Sequence, residues 1–257
     1  MAISRLEHSW PLFELRIETP RLVMRVARDE DFAEGLALID AGIHDPTVMP
    51  FEVPFTDTAM PLRQWDTLRY WWSTRSSFQP DGWNLEFFVY AGSVLIGVQG
   101  MRTDSFSVLR EGFSGSWLGQ AHQRQGFGTE MRTALLAFAF DHLGAQVMRS
   151  AAFLDNPGST RVSARLGYEL DGTKTSAPRG IPVTSQQFRL TRERWLATRP
   201  PLDVTVFGLA PCLALLGLDA AQNGLHAVAE WEHQHGALDD DELALARQRV
   251  ADERPSS

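Results

Sequence analysis

One stretch narrows the folds open to this chain more than any other: residues 116–131, which read Ser-Trp-Leu-Gly-Gln-Ala-His-Gln-Arg-Gln-Gly-Phe-Gly-Thr-Glu-Met. An apolar strand ends at Gly119, and the loop Gln123-Arg124-Gln125-Gly126-Phe127-Gly128 opens directly into a helical pattern. Glycines let backbone N–H groups approach a ligand closely. A helix start adds partial positive charge, which suits a pyrophosphate. Met131 stands where a dinucleotide-binding fingerprint needs a third glycine, and no Gly-Lys-Ser/Thr follows as in a P-loop. A tight strand-to-helix turn would read the same way, so this loop alone does not choose between turn and phosphate seat.

The surrounding pattern supplies the architecture. Alternation over 22–26 predicts a first strand, and 29–39 a helix with Asp29 or Asp31 as cap and Phe32, Leu36 and Ile39 on one stripe. Residues 44–55 hold Pro46, Pro50 and Pro54 and read as a stiff loop. A helix over 58–75 carries Trp65, Tyr70, Trp71 and Trp72, a set read mainly as core packing. Two apolar runs, 85–90 and 94–101, flank Ala91-Gly92-Ser93 as a hairpin. Strands over 112–119, 147–153, from 167, 182–190 and 204–209 alternate with helices over 129–143, 159–166 and 191–195. This order predicts an α+β fold with a mixed sheet. Asp239, Asp240 and Asp241 would cap a polar helix carrying Leu243, Leu245 and Val250.

Composition excludes several classes. Asp plus Glu (32) outnumber Lys plus Arg (24), giving −8, and a surface of that sign does not coat nucleic-acid backbones. The single cysteine, Cys212, excludes a disulfide framework and a multi-thiolate metal site. His226, His233 and His235 lack companions at ligand spacing, so no metal is expected. The opening residues lack an apolar signal core and no run is long enough to span a bilayer, so the expectation is a cytoplasmic protein without membrane attachment.

A second segment, Asp155-Asn156-Pro157-Gly158-Ser159 through Gly167-Tyr168, stands downstream of the loop at a suggestive distance. Together the two resemble the GNAT superfamily of acyl-CoA-dependent N-acyltransferases. Gln123, Gly126 and Gly128 match its Gln/Arg-x-x-Gly-x-Gly/Ala loop, and Asn156, Ser159, Gly167 and Tyr168 its second signature. Glu18-Thr19-Pro20-Arg21-Leu22 is similar to the opening strand of the ribosomal-protein-acetyltransferase (Rim-type) branch. Trp10-Pro11-Leu12-Phe13, His44-Asp45-Pro46, Met49-Pro50-Phe51 and Gly128-Thr129-Glu130-Met131-Arg132 look like an actinobacterial subgroup that includes a succinyl-CoA user. The resemblance covers about residues 10–200.

It implies a GNAT fold over 1–200, a sheet splayed at an acyl-CoA wedge, and an extra strand or linker over 201–218. An acidic, partly helical tail over 219–257 would follow. Trp117, Leu118 and Gly119 would offer backbone to the pantetheine arm and thioester. Gln123, Arg124, Gln125, Gly126, Phe127, Gly128 and Thr129 would hold the pyrophosphate. Asn156 would bond the arm, and Ser159 marks a position proposed to protonate the departing thiolate. Many relatives place a tyrosine where this chain has Ser163. The strand carboxylate of Rim-type enzymes is replaced by Phe113, which leaves Glu111 as the nearest candidate base. His44, Asp45 and Phe51 would border the acceptor.

The reading that follows is transfer of an acetyl group from acetyl-CoA to a primary amine of a small molecule or protein, without an acyl-enzyme and without metal. Succinyl-CoA is the rival donor, for which Arg102, Arg124 and Arg149 are candidate partners of the terminal carboxylate. A catalytically inactive CoA-binding sensor or scaffold is the reading from another class, and a homodimer stays open. Without a strong base, an α-amine of pKa ~7.8 suits the site better than a lysine of pKa ~10.4.

Overall fold

In the computed structural model, which describes residues 9–218, the strands run β1 (Arg16–Glu18), β2 (Val23–Val26), β3 (Gly82–Ala91), β4 (Val94–Asp104), β5 (Glu111–Leu118), β6 (Val147–Phe153), β7 (Glu169–Ser176), β8 (Val183–Thr191) and β9 (Thr205–Phe207). They form one sheet in the order β7-β8-β6-β5-β4-β3-β2-β1-β9. Helices α1 (Phe32–Asp40), α2 (Leu62–Ser76), α3 (Phe106–Leu109), α4 (Phe127–Ala137), α5 (Pro157–Arg165) and α6 (Arg192–Thr198) flank it. All neighbours are antiparallel except β5 and β6. The α+β mixed sheet is therefore as the alternation predicts.

Local chemistry moves several boundaries. The aromatic helix starts at Leu62 rather than 58 because Pro61 restricts the residue before it. The helix expected over 129–143 begins two residues earlier at Phe127, with Gly126 at φ +86° as its cap, and widens into a π-helical turn over Phe138–His142. α5 starts at Pro157, where a missing N–H costs nothing, and Asn156 Oδ1 accepts the Ser159 N–H at 3.2 Å. β1 and α3 have no counterpart in the sequence reading. β1 is three residues long and stands because β2 and β9 pair with both of its edges. α3 is entered and left through Ser105 and Arg110, both left-handed, which no periodicity signals.

Two apolar layers sandwich the sheet. On one face α4 and the π-helical turn after it put Met131, Ala134, Leu135 and Phe138 in one cluster with Leu85, Phe87 and Met148. On the other, α1 and α2 close over Phe88, Tyr90 and Val98, with Trp71 stacked on Phe32 at 4.9 Å. Of the four α2 aromatics only Trp71 is core; Trp65, Tyr70 and Trp72 are exposed. β9 joins the sheet beside β1, and Cys212, Leu216 and Leu218 are buried in the α4-side core, so the segment 201–218 shares the main hydrophobic core. The proposed tail helix over 239–250 lies outside the described residues.

Trp195 of α6 is buried, stacks on Phe140 at 5.7 Å and donates its indole N–H to Asp141 at 3.2 Å. Trp195→Ala is expected to cost about 3–5 kcal/mol and to lower Tm by roughly 6–20 °C, read in a thermal melt.

Candidate active site

The site begins with a pairing that stops. β5 and β6 share three register positions, Glu111–Val147, Gly112–Met148 and Phe113–Arg149. Beyond Phe113, β5 pairs only with β4, through Leu118, while β6 pairs only with β8, through Phe153. The strands part, and a cavity of about 990 Å³ fills the gap. Its walls include Ser114, Gly115, Ser116 and Trp117 from β5, Ala151 to Phe153 from β6, and Gly126, Gly128 and Thr129 from the loop into α4. Asn156, Gly158 and Ser159 close the opposite side.

The loop is held from outside. Glu130, in the first turn of α4, accepts from Thr19 Oγ1 at 2.6 Å and Arg21 Nε at 2.6 Å. Arg21 also reaches the Gln125 carbonyl at 3.2 Å and stacks on Phe127 at 4.7 Å. Gln123 donates its amide to the Ile43 and Leu118 carbonyls at 2.8 and 3.0 Å, which ties the loop to the strand it follows. Gly126 at φ +86° and Arg124 at φ +61° curl the backbone so that the first turn of α4 faces the cavity, an anion-receptive arrangement.

Most residues singled out in the sequence come together here. Trp117, Leu118, Gln123, Arg124, Gly126, Gly128, Thr129, Asn156 and Ser159 line the cavity, as do His44, Asp45 and Phe51. Gly119, Gln125 and Phe127 do not line it: Gly119 is backed by Leu38, and its N–H is given to the Ile96 carbonyl at 2.9 Å. Ser163 is buried and accepts from Arg132 at 3.3 Å. Glu111 takes the Arg149 Nε at 3.0 Å, and Arg149 is shared with Asp171. His44 is fixed by Thr56 Oγ1 at 2.7 Å and the Asp45 carbonyl at 2.8 Å. Thr47 donates to Asp45 through N–H and hydroxyl, which holds that carboxyl below its ordinary range. The hairpin between β7 and β8 reaches this loop through Arg179 on Asp57 at 2.6 Å and Lys174 on Glu52.

Glu86 escaped the sequence reading, while Arg132 entered it only within the Gly128–Arg132 motif and Tyr70 only within the aromatic set read mainly as core. Arg132 lines the α4 side of the gap, whereas Glu86 and Tyr70 lie on the opposite face of the sheet, outside the cavity lining. Tyr70 donates to Glu86 Oε1 at 2.8 Å and accepts from Asn84 at 3.1 Å. Desolvation pushes the Glu86 carboxyl up to about 7, and desolvation of its hydroxyl with the adjacent Glu86 charge raises the phenol of Tyr70, whose ring is half-exposed. Cys212 is buried away from the cavity with its thiol pushed up to about 12, so it is no nucleophile there. A carboxylate and a tyrosine sixteen positions apart on different elements leave no motif to read.

A family model described as the acetyltransferase (GNAT) domain matches residues 21–169. The chain belongs to the GNAT acetyltransferases. Among solved structures it is similar to Mycobacterium smegmatis RimJ in complex with CoA-disulfide, at 15% identity and TM-score 0.57, covering 73% of this chain and 95% of that one. It is also similar to a Salmonella typhimurium acetyl transferase that modifies the N-terminal serine of a 50S ribosomal subunit protein. That match has 16% identity and TM-score 0.56, covering 67% and 96%. RimL, a ribosomal alpha-N-protein acetyltransferase, in complex with CoA matches at 15% identity and TM-score 0.53, over 67% and 95%. At such identities the likeness establishes the shared fold.

Glu130→Ala strands Arg21 and Thr19 without their acceptor. It is expected to cost about 1–3 kcal/mol, the scale of a lost charge-assisted hydrogen bond, read as a lower Tm in a thermal melt, and an unchanged Tm would mean the loop keeps its shape without the clamp.

Proposed function

We propose that this chain moves an acetyl group from acetyl-CoA to a primary amine by direct attack of the amine on the thioester. The observation that carries the reading is the gap left where β5 and β6 stop pairing after Phe113, with the first turn of α4 at its mouth. Unpaired β5 backbone suits the amide-bearing pantetheine arm, and the loop 123–129 suits the pyrophosphate. Ser159 lies at the cavity wall and serves as a hydrogen-bond donor, since a serine hydroxyl is a poor acid. The acceptor is a small amine or a protein α-amine, the latter in keeping with the ribosomal-protein α-N-acetyltransferases that share the fold.

For the amine proton, Glu86 has better placement than Glu111, whose carboxylate is already held by Arg149. Glu86 leans across Gly100, where a β-carbon would meet Oε1 at 2.8 Å. Gly100 pairs with Gly115, above which a β-carbon would meet nothing within 4 Å, and Gly115 lines the cavity. This glycine row clears a path from the carboxylate to the parting of the strands. The amine attacks the carbonyl carbon, the C–N bond forms as C–S breaks, and the amine proton passes to Glu86, directly or through one water. The sulfur keeps the electron pair.

A second reading, succinyl transfer, rests on Arg102. It lines the cavity and stacks over Phe113 at 4.8 Å with no ion pair among the described residues, whereas Arg149 is committed to Glu111 and Asp171. A succinyl carboxylate needs such a partner.

Acetyl-CoA at a hundredfold its Kd is expected to stabilise the protein by about 2.7 kcal/mol, roughly 5–10 °C in Tm, and to release thiol when an amine is added. No shift would remove the donor assignment; a shift without thiol release above the blank would favour a sensor. A larger shift with succinyl-CoA, lost in Arg102→Ala, would move the donor to succinyl-CoA.

Glu86→Gln is expected to lower kcat/KM by about 100-fold or more with CoA affinity unchanged. Stability should move the opposite way. The Glu86 carboxyl titrates near 7 in the fold against an ordinary 4.5, so the folded state favours the protonated form. Its stabilising contribution is complete below about 4.5 and is lost as pH rises through about 7. Glu86→Gln should therefore melt higher than the parent at pH 8, with the difference shrinking toward pH 5.

A further inference from the structure

The α4 side of the gap holds a charge that the fold leaves without a counter-charge. Arg132 is 5% exposed. Its Nη1 donates to Ser150 Oγ on β6 and Ser163 Oγ on α5, both at 3.3 Å, and its Nη2 to Ser116 Oγ on β5 at 3.0 Å. Its Nε has no hydrogen-bond partner. The one titratable group acting on it is the buried Tyr168, which bonds Ser114. No carboxylate among the described residues pairs with it. Burying a guanidinium against neutral hydroxyls costs several kcal/mol that a carboxylate or an apolar side chain would have avoided.

The place is as informative as the charge. Ser150 and Ser116 lie one and three residues past the last β5–β6 pair, so the guanidinium bridges the throat of the wedge, where the strands have just parted. Arg132 also lines the cavity. It stands five residues into α4, beyond the first turn that suits the pyrophosphate. A donor entering by that loop presents neutral pantetheine along the way, and its reacting end lies deepest. With an acetyl donor the only negative charge that arises there is the one the chemistry creates.

We propose that Arg132, held by Ser116, Ser150 and Ser163, stabilises the CoA thiolate as the C–S bond breaks. This rests on the acyl-CoA reading above. The electron pair of the broken bond stays on sulfur, facing a fixed cation in a water-poor throat, and the thiolate takes up a proton from solvent as CoA leaves. Such a preset charge acts on the transition state far more than on the neutral thioester, which is what accelerates a reaction. The serines orient the guanidinium. The other cations at the cavity, Arg102, Arg124, Arg161, Arg165 and Lys174, are exposed and screened by solvent.

The test titrates the thiol of CoA bound to the intact protein through its ultraviolet thiolate absorbance, beside free CoA and with desulfo-CoA as the blank. The bound thiol is expected to titrate about 1–3 pH units below the free one, and CoA affinity to rise with pH where that of desulfo-CoA stays flat. Arg132→Met should abolish the shift and reduce kcat more than it raises KM, and Arg132→Lys should restore part of both. CoA that binds with an unshifted thiol would overturn the proposal while leaving the acyl-CoA reading intact, as would a shift that persists in Arg132→Met. Failure of both CoA and desulfo-CoA to bind would remove the acyl-CoA reading itself, and the proposal with it. The wild-type titration decides the matter even where a variant does not fold.

Discussion

Everything functional in this chain depends on two parallel strands that stop hydrogen-bonding. β5 and β6 pair for three positions and then separate, leaving main-chain groups that folding would ordinarily satisfy within the sheet. Buried peptide groups without partners are costly, so a split of this kind persists only if something else bonds them. Part of the gap is bridged from within: Ser114 reaches the Arg149 carbonyl at 3.3 Å, and Arg132 spans Ser116 and Ser150. The rest opens on the cavity. The same gap that weakens the sheet opens the cavity.

The two faces of the gap have different chemistry. On the α4 side lie serine hydroxyls, Tyr168 and a buried cation, a setting that favours developing negative charge. On the α1/α2 face of the sheet, outside the cavity lining, lie Glu86 and Tyr70, with the glycine row Gly100–Gly115 between them and the gap. In the proposed reaction a thioester held in the gap would have its leaving group over the cation and its carbonyl open to the amine from the opposite side. The division follows from strand alternation, since Ser114 and Ser116 point one way and Phe113, Gly115 and Trp117 the other.

Around this centre, long-range ion pairs fix what the loops alone would leave loose. Arg21 and Glu130 join the β1–β2 connection to the start of α4. Arg179 and Lys174 join the β7–β8 hairpin to the proline-rich loop. The former is partly buried and so contributes through positioning as well as charge. The latter pairs are exposed, where screening by solvent and salt leaves little net stability.

The sequence alone determined the order of strands and helices apart from β1 and α3, the hairpin at 91–93, and the strand-loop-helix at 116–131. Each is encoded in local periodicity, glycine placement or a capping residue, which act over a few positions. Asn156 shows how close such a reading comes and where it stops: the residue is at the cavity, yet its side chain also caps α5. Ser163 shows the opposite case, a residue at a signature position whose hydroxyl is turned inward to Arg132. Only the tertiary structure decided that Arg132 is buried without a counter-charge, and that Glu86 meets Tyr70 across the face of the sheet. It likewise decided that Glu111 is held by Arg149. Burial and ion pairing set the charge state of these groups, and both come from segments brought together by folding rather than from neighbours along the chain.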